Sequence, residues 1–245
     1  VSLRLLFKDD YGHSKLERRF FSDSRVERFD ALVLDAGLNL TWNHPSHDQR
    51  VRSQYVRDQY VSDLQNATGG FAPHGRIVNL YLNGLYWGVY IAHERPDDSF
   101  SAEYFGGEKS EYDVLKHTGS TAVSGNLTAW NAMMGDARAG LTANAQYEAL
   151  QAHLDVPGLL DFMLVNIFVG NDDWPRHNWY ATRRRSPGEP FRFHSWDAEH
   201  VLKDLNINQT SVNLGGSPTE LYTRLKANSE FKLLFADHVQ RHFFG

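Results

Sequence analysis

The chain has 245 residues and a formal net charge of −5, from 25 Lys and Arg against 30 Asp and Glu. That balance excludes the basic footprint of a nucleic-acid binder, and the lack of any cysteine excludes disulfides and thiolate metal centres. At 41% hydrophobic and 22% charged, with no apolar run of membrane-spanning length, it reads as an ordinary globular chain forming one large domain or two small lobes.

Val1–Lys8 alternates in part and predicts a strand, followed by a turn at Asp9–Gly12. Because the first residue is not Met and a strand is already under way, the sequence reads as a piece of a longer protein. No signal peptide is visible. Phe29–Leu34 is a second apolar run, and His44–Asp48, with Pro45, is a loop. From Arg50 to Ala67, apolar residues recur at Val51, Tyr55, Val61 and Leu64 before Gly69-Gly70, which predicts one amphipathic helix with a glycine stop. Arg76–Leu82 and Leu85–His93 flank Asn83-Gly84, the signature of a type I′ hairpin. Asp98–Phe105 predicts a short helix and Tyr112–Lys116 a strand.

After Gly119 the pattern turns helical: Leu127–Met134, Ala145–Leu154, and Leu159–Val169 with Asp155-Val-Pro157 as its start signal. Trp179–Thr182 and Phe191–His194 are β-type runs. Arg183–Arg185 beside Ser186-Pro187-Gly188 is a solvated hairpin tip rather than a binding patch. Asn206–Ser217 is a loop, and Pro218–Ala227 and Glu230–Phe244 are helical. The expected class is therefore α+β, dividing near residue 118 into a strand-rich half (1–118) and a helix-rich half (119–245).

The chemistry concentrates in Gly170–Tyr180 and His194–Glu199. Asp173 and Asn178 stand five residues apart, and Asp197 follows after a hairpin. Protein kinases space a catalytic Asp, a metal-binding Asn and a second metal-binding Asp in this way. A carboxylate can accept the proton of a hydroxyl nucleophile, and Mg2+ favours hard carboxylate and amide oxygens. Asn, Asp and Pro also build ordinary turns, so the spacing alone fits a structural loop. Asp172 is adjacent to Asp173, and the spacing favours Asp173. His177 and His194 flank the loop at no metal-ligand spacing, which suits hydrogen-bonding turn residues better than zinc. Arg57-Asp58 is a candidate lobe-linking ion pair. Trp87, Tyr86 and Tyr90 on the second hairpin strand are either core or a stacking surface for an adenine.

Several stretches together resemble the CotH family of spore-coat kinases and their bacterial relatives, which have an atypical protein-kinase fold. They are Tyr55–Tyr60, Val78–Glu94, Asp113–Lys116, Asn171–Tyr180 and Trp196-Asp197, in family order across nearly the whole chain. The resemblance implies a single two-lobed kinase-like domain over residues 1–245, lacking its first strands. It implies ATP and magnesium (Mg2+, or another divalent cation) and phosphoryl transfer to Ser/Thr hydroxyls of a protein substrate. Position by position, Asp173 matches the catalytic Asp and Asn178 and Asp197 the metal ligands. Glu94 matches the family's Glu after Gly-Val-Tyr and is assigned to the nucleotide site, and Lys116 is the candidate cation at the phosphates. Trp87 and Tyr90 are assigned to the nucleotide pocket. Glu199 replaces the second Asp of the family's Trp-Asp-x-Asp and is taken as a further metal ligand. Relatives usually carry an Arg-Gly-x-Ser segment and a Lys-rich stretch upstream of the strand matching Val1–Phe7, and this chain starts after them. The Glu199 exchange keeps open a non-catalytic scaffold of the cell surface or spore coat, and the same acids would also serve a metal-dependent phosphohydrolase. The family suggests a bacterial secreted, cell-surface or coat location, with no nucleic-acid partner and no membrane span in this segment.

Overall fold

The computed structural model of the protein describes residues 1–117, 119 and 121–245. In chain order the elements are β1 (Leu3–Leu6), β2 (Leu16–Glu17), β3 (Arg28–Phe29), β4 (Ala31–Asp35), α1 (His47–Val51), α2 (Arg57–Ala67), β5 (Gly75–Leu82), β6 (Leu85–His93), α3 (Asp98–Phe105) and β7 (Tyr112–Lys116). There follow β8 (Thr121–Ser124), α4 (Thr128–Ala139), α5 (Asn144–Gln151), α6 (Val156–Phe168), β9 (Trp179–Arg184), β10 (Arg192–Ser195), α7 (Pro218–Leu225) and α8 (Ser229–Val239). The class is α+β, with strands weighted to the first half and helices to the second. The division at Thr118 falls outside the described residues.

Two four-stranded antiparallel sheets carry the fold, ordered β1-β4-β6-β5 and β10-β9-β7-β8, with β2-β3 as a small separate pair. In the first sheet, Asn83 and Gly84 take φ of 50° and 81°, as the two central positions of a type I′ turn require. One face of this sheet packs Leu34, Tyr90 and Ala92 against Leu3, Phe20 and Val78. The other presents Ile77, Trp87 and Val89 to solvent. In the second sheet β7 pairs with β9, Lys116 lying opposite Tyr180, so a strand from before residue 118 is built onto the hairpin that follows the Gly170–Asn178 loop.

The largest core lies under this second sheet. Trp130, Met133, Leu159, Phe162, Trp179 and Phe193 belong to one buried cluster, with the Trp130 and Trp179 rings stacked at 5.9 Å. Its central member is α6, whose apolar run is buried on nearly all sides because α2, β10, α7 and α8 pack around it. Asp155 starts α6 by accepting the Gly158 N–H at 3.0 Å, with Pro157 in the first turn.

The Arg50–Ala67 pattern is two helices rather than one. Between α1 and α2 the backbone turns aside, and Gln54 donates its N–H to the Leu40 carbonyl while the Tyr55 hydroxyl accepts from Trp42. Val51 and Val56 are exposed, so the apolar recurrence is not one buried stripe. α2 itself joins the halves: Val61 packs with Val165, Val169, Ala198 and Val201. Its Gln65 side chain donates to the Phe193 carbonyl (2.7 Å) and accepts from the Ser195 N–H (2.8 Å). The helix thus fixes the end of β10, where the acidic segment begins.

Candidate active site

Two residues beyond α6, Gly170, with a φ of 59°, turns the chain into the loop. The loop is anchored from within: Asn171 is fully buried and donates to the Asn166 carbonyl oxygen of the side chain at 2.9 Å. Trp174 packs on Phe162, and Trp179 Nε1 donates to the Pro175 carbonyl at 2.8 Å. This scaffold separates the two adjacent acids. Asp172 pairs with Lys203 at 2.7 Å. Asp173 instead accepts from Asn178 Nδ2 at 3.1 Å. Since a carboxylate only accepts, the Asn178 amide nitrogen faces Asp173, and its carbonyl oxygen takes no part in that contact.

Asn178 and Asp197 both have left-handed backbones, with φ of 66° and 54°. Non-glycine residues adopt that region sparingly and are found there disproportionately at functional sites. Asp197 lies two residues beyond β10, and the next residue, Ala198, donates its N–H to Asp58 Oδ1 at 2.7 Å. Trp196 packs edge-on to Tyr180 and beside His93.

Asp197 and Glu199 border a cavity of about 130 Å³ with Asp35, Asn39, Tyr55 and Asp58. Four carboxyl groups on one small cavity cannot all stay ionised. Burial first, then the hydrogen bond to Asp197 and its charge, push Glu199 up to about 9, although Asn39 Nδ2 donates to it at 2.8 Å. Burial also raises Asp58, with the charges of Asp197 and Asp35 adding to the effect and His93 and the Ala198 amide opposing it. Near neutral pH Glu199 therefore holds its proton, beside the hard oxygens of Asp197, Asp58 and Asp35. That donor set fits Mg2+ or a similar hard divalent cation.

Asp173 and Asn178 do not line this cavity. The His200 imidazole is pushed down by burial and by Lys203, while the charges of Asp173, Asp172 and Asp197 all act on it in the opposite sense. Lys116, at the end of β7, is half-buried and makes no ion pair among the described residues; burial first, then the charges of Lys116 and His177, push the neighbouring His117 down, and Asp197 opposes them. Trp87 lies on the same sheet face as Ile91, which borders the cavity, but it is exposed four residues along the strand.

Other residues are placed elsewhere. The Tyr90 ring is on the opposite, buried face, its hydroxyl donating to the Val1 carbonyl at 3.2 Å. Glu94 is buried in a knot that accepts from the His74 N–H (2.9 Å) and the Tyr104 hydroxyl (3.0 Å), bracing α3 against the first sheet. Both nitrogens of His194 are engaged, by Thr182 Oγ1 and the Phe71 carbonyl, and burial pushes it down to about 4. It has no nitrogen left for zinc. Arg57 and Asp58 form no ion pair with each other among the described residues; Asp58 serves Ala198 instead. Asp35, Asn39, His200 and Lys203 are additional neighbours of the site, which carry no motif of their own.

A family model described as CotH kinase protein matches residues 38–243. Comparison with curated proteins finds no match.

Proposed function

This chain belongs to the CotH kinase family, and from that premise we propose that it transfers the γ-phosphoryl group of ATP to Ser or Thr hydroxyls of a protein, with Mg2+ as the metal. The observation that carries the reading is the different treatment of adjacent acids. Lys203 neutralises Asp172, whereas Asp173 remains an acceptor oriented by Asn178. A carboxylate free of a cation is the better base for a hydroxyl proton, so Asp173 takes the catalytic role.

Asn178, Asp197 and Glu199 would hold the metal, which would supply positive charge to offset that of the transferring phosphoryl group. To serve as a ligand Glu199 would have to release its proton to solvent. Asp58 and Gln65 keep the Asp197 segment in place through backbone bonds. Lys116 supplies a cation at the phosphate end, and Trp87 borders the nucleotide on the sheet face above the cavity. Glu94 supports the site indirectly by fixing α3. We place the protein with coat-associated or exported proteins on the family's association; among the described residues no helix is long and apolar enough to cross a membrane.

A second reading, a kinase-fold binding module without transfer, draws on Glu199, because a carboxyl that holds its proton near neutral pH weakens metal binding. Incubation with labelled ATP, Mg2+ and a serine-rich acceptor separates the readings. Label on protein is the expected result. Free phosphate alone indicates a phosphohydrolase, and no turnover the binding module.

A further inference from the structure

A second constellation lies away from the Asp197 cavity. Asp161 projects from α6. His238 lies near the end of α8, and His242 sits four residues further on, in the π-type turn Gln240–Phe244 that continues the helix. The four-residue interval puts both imidazoles on one side of the helix, and that side meets Asp161. His238 Nδ1 is 2.5 Å and His242 Nε2 3.0 Å from the same oxygen, Asp161 Oδ1. The three donor atoms lie within 4.8 Å of one another. The side chains of Asp161 and His238 are 9% and 5% exposed, and that of His242 is 17%.

We propose that Asp161, His238 and His242 form a zinc site that fastens the C-terminal helix to α6. Two imidazoles and one carboxylate are a borderline donor set, which selects zinc-like transition metals over magnesium. Zinc holds such ligands at about 2.0–2.2 Å in a tetrahedron, which sets donor-to-donor separations of ~3.3–3.5 Å. The observed 2.5 and 3.0 Å need to open by about 1 Å or less, a movement of side-chain torsions. A fourth ligand has room to enter: His242 and Phe243 border a cavity of about 240 Å³ with Leu64, Leu164 and Phe168, wide enough for a water on the metal. None of these residues borders the Asp197 cavity, and none is used by the phosphoryl-transfer reading. Because α6 leads into the Gly170–Asn178 loop, the clasp would tie α8 to the helix that precedes the catalytic acid.

The test uses the full chain, stripped of metal, titrated calorimetrically with Zn2+ in the presence of excess Mg2+, with Co2+ as an optical probe of coordination. The expected result is one equivalent of zinc that magnesium does not displace, a tetrahedral-type Co2+ spectrum, and a rise in melting temperature. His242→Ala, at the partly open ligand, should weaken zinc by more than the roughly 10- to 100-fold that loss of a supporting group costs. Asp197→Asn should leave the stoichiometry at one. The proposal is overturned if the wild-type chain binds no zinc under excess Mg2+, if its Co2+ spectrum is that of an octahedral all-oxygen site, or if folded His242→Ala binds zinc as tightly as wild type. Should His242→Ala not fold, the wild-type titration and spectrum decide on their own.

Discussion

In the absence of divalent cations, Glu199→Gln should make the protein more stable at neutral pH. Burial, and then Asp197, lift the Glu199 carboxyl from its ordinary 4.5 to about 9. At pH 7 folding must take up a proton that the unfolded chain has already released. Across roughly 2.5 pH units that linkage costs at most about 3 kcal/mol, and roughly 1–3 kcal/mol once the open side of the cavity is allowed for. Because the folded value lies above the unfolded one, the stability is intact below pH 4.5 and is lost as pH rises toward 9. Glutamine is neutral at every pH and keeps the acceptor oxygen that Asn39 uses, so the variant escapes the loss. The two proteins should therefore have similar melting temperatures near pH 4 and diverge in favour of the variant up to pH 8–9. Added Mg2+ should reverse the order by stabilising wild type more, since the variant lacks the charge that binds it. Thermal melts across pH, with and without Mg2+, supply the comparison. A variant no more stable than wild type at pH 8 without metal, or an equal Mg2+ response in both, would refute the account of a protonated Glu199 in the cavity.

Asp58→Ala should cost about 1–3 kcal/mol in urea denaturation, because it leaves the buried Ala198 N–H without an acceptor, and it should weaken Mg2+-dependent ATP binding by loosening Asp197. Asp58→Asn retains an acceptor oxygen and should restore much of both; equal losses in the two variants would contradict a positioning role. His194 folds neutral with its value pushed down to about 4, so its contribution is intact above its unfolded value near 6.5 and is lost as pH falls toward 4, on the order of 3 kcal/mol. Acid unfolding curves should show proton uptake over that interval, and a His194→Gln protein should lack it.

Much of this architecture was legible because local signals and tertiary packing agree. Asn83-Gly84 needs two left-handed residues, and the hairpin closes on them. Asp98–Phe105 and Tyr112–Lys116 have the predicted bounds because Asp97 caps the first, accepting the Phe100 N–H, and β9 pairs along the whole of the second. Where tertiary contacts override periodicity, the reading fails: Leu40 and Trp42 draw Gln54 and Tyr55 out of the helix predicted for Arg50–Ala67. β8 escaped notice because four residues after a turn carry almost no periodic signal. In the site, the spacing of Asp173 and Asn178 reflects a direct hydrogen bond. By contrast, spacing cannot reveal partners far apart in sequence. Asp58 on Ala198, Glu94 on His74 and Tyr104, and Asp161 between His238 and His242 are all set by packing.

The central claim is that Asp173, and not its neighbour, accepts the proton of the substrate hydroxyl. The most direct measurement is label transfer from ATP to a serine-rich protein by Asp173→Asn and Asp172→Asn, with ATP affinity measured in parallel. Asn at 173 still offers an oxygen to Asn178 but no base, so transfer should fall by roughly 10²- to 10⁴-fold with affinity little changed. Asp172→Asn removes only a partly exposed pair with Lys203, worth about 0–1 kcal/mol of stability, and should stay active. A dead Asp172→Asn beside an active Asp173→Asn, or full transfer by both, would contradict the account.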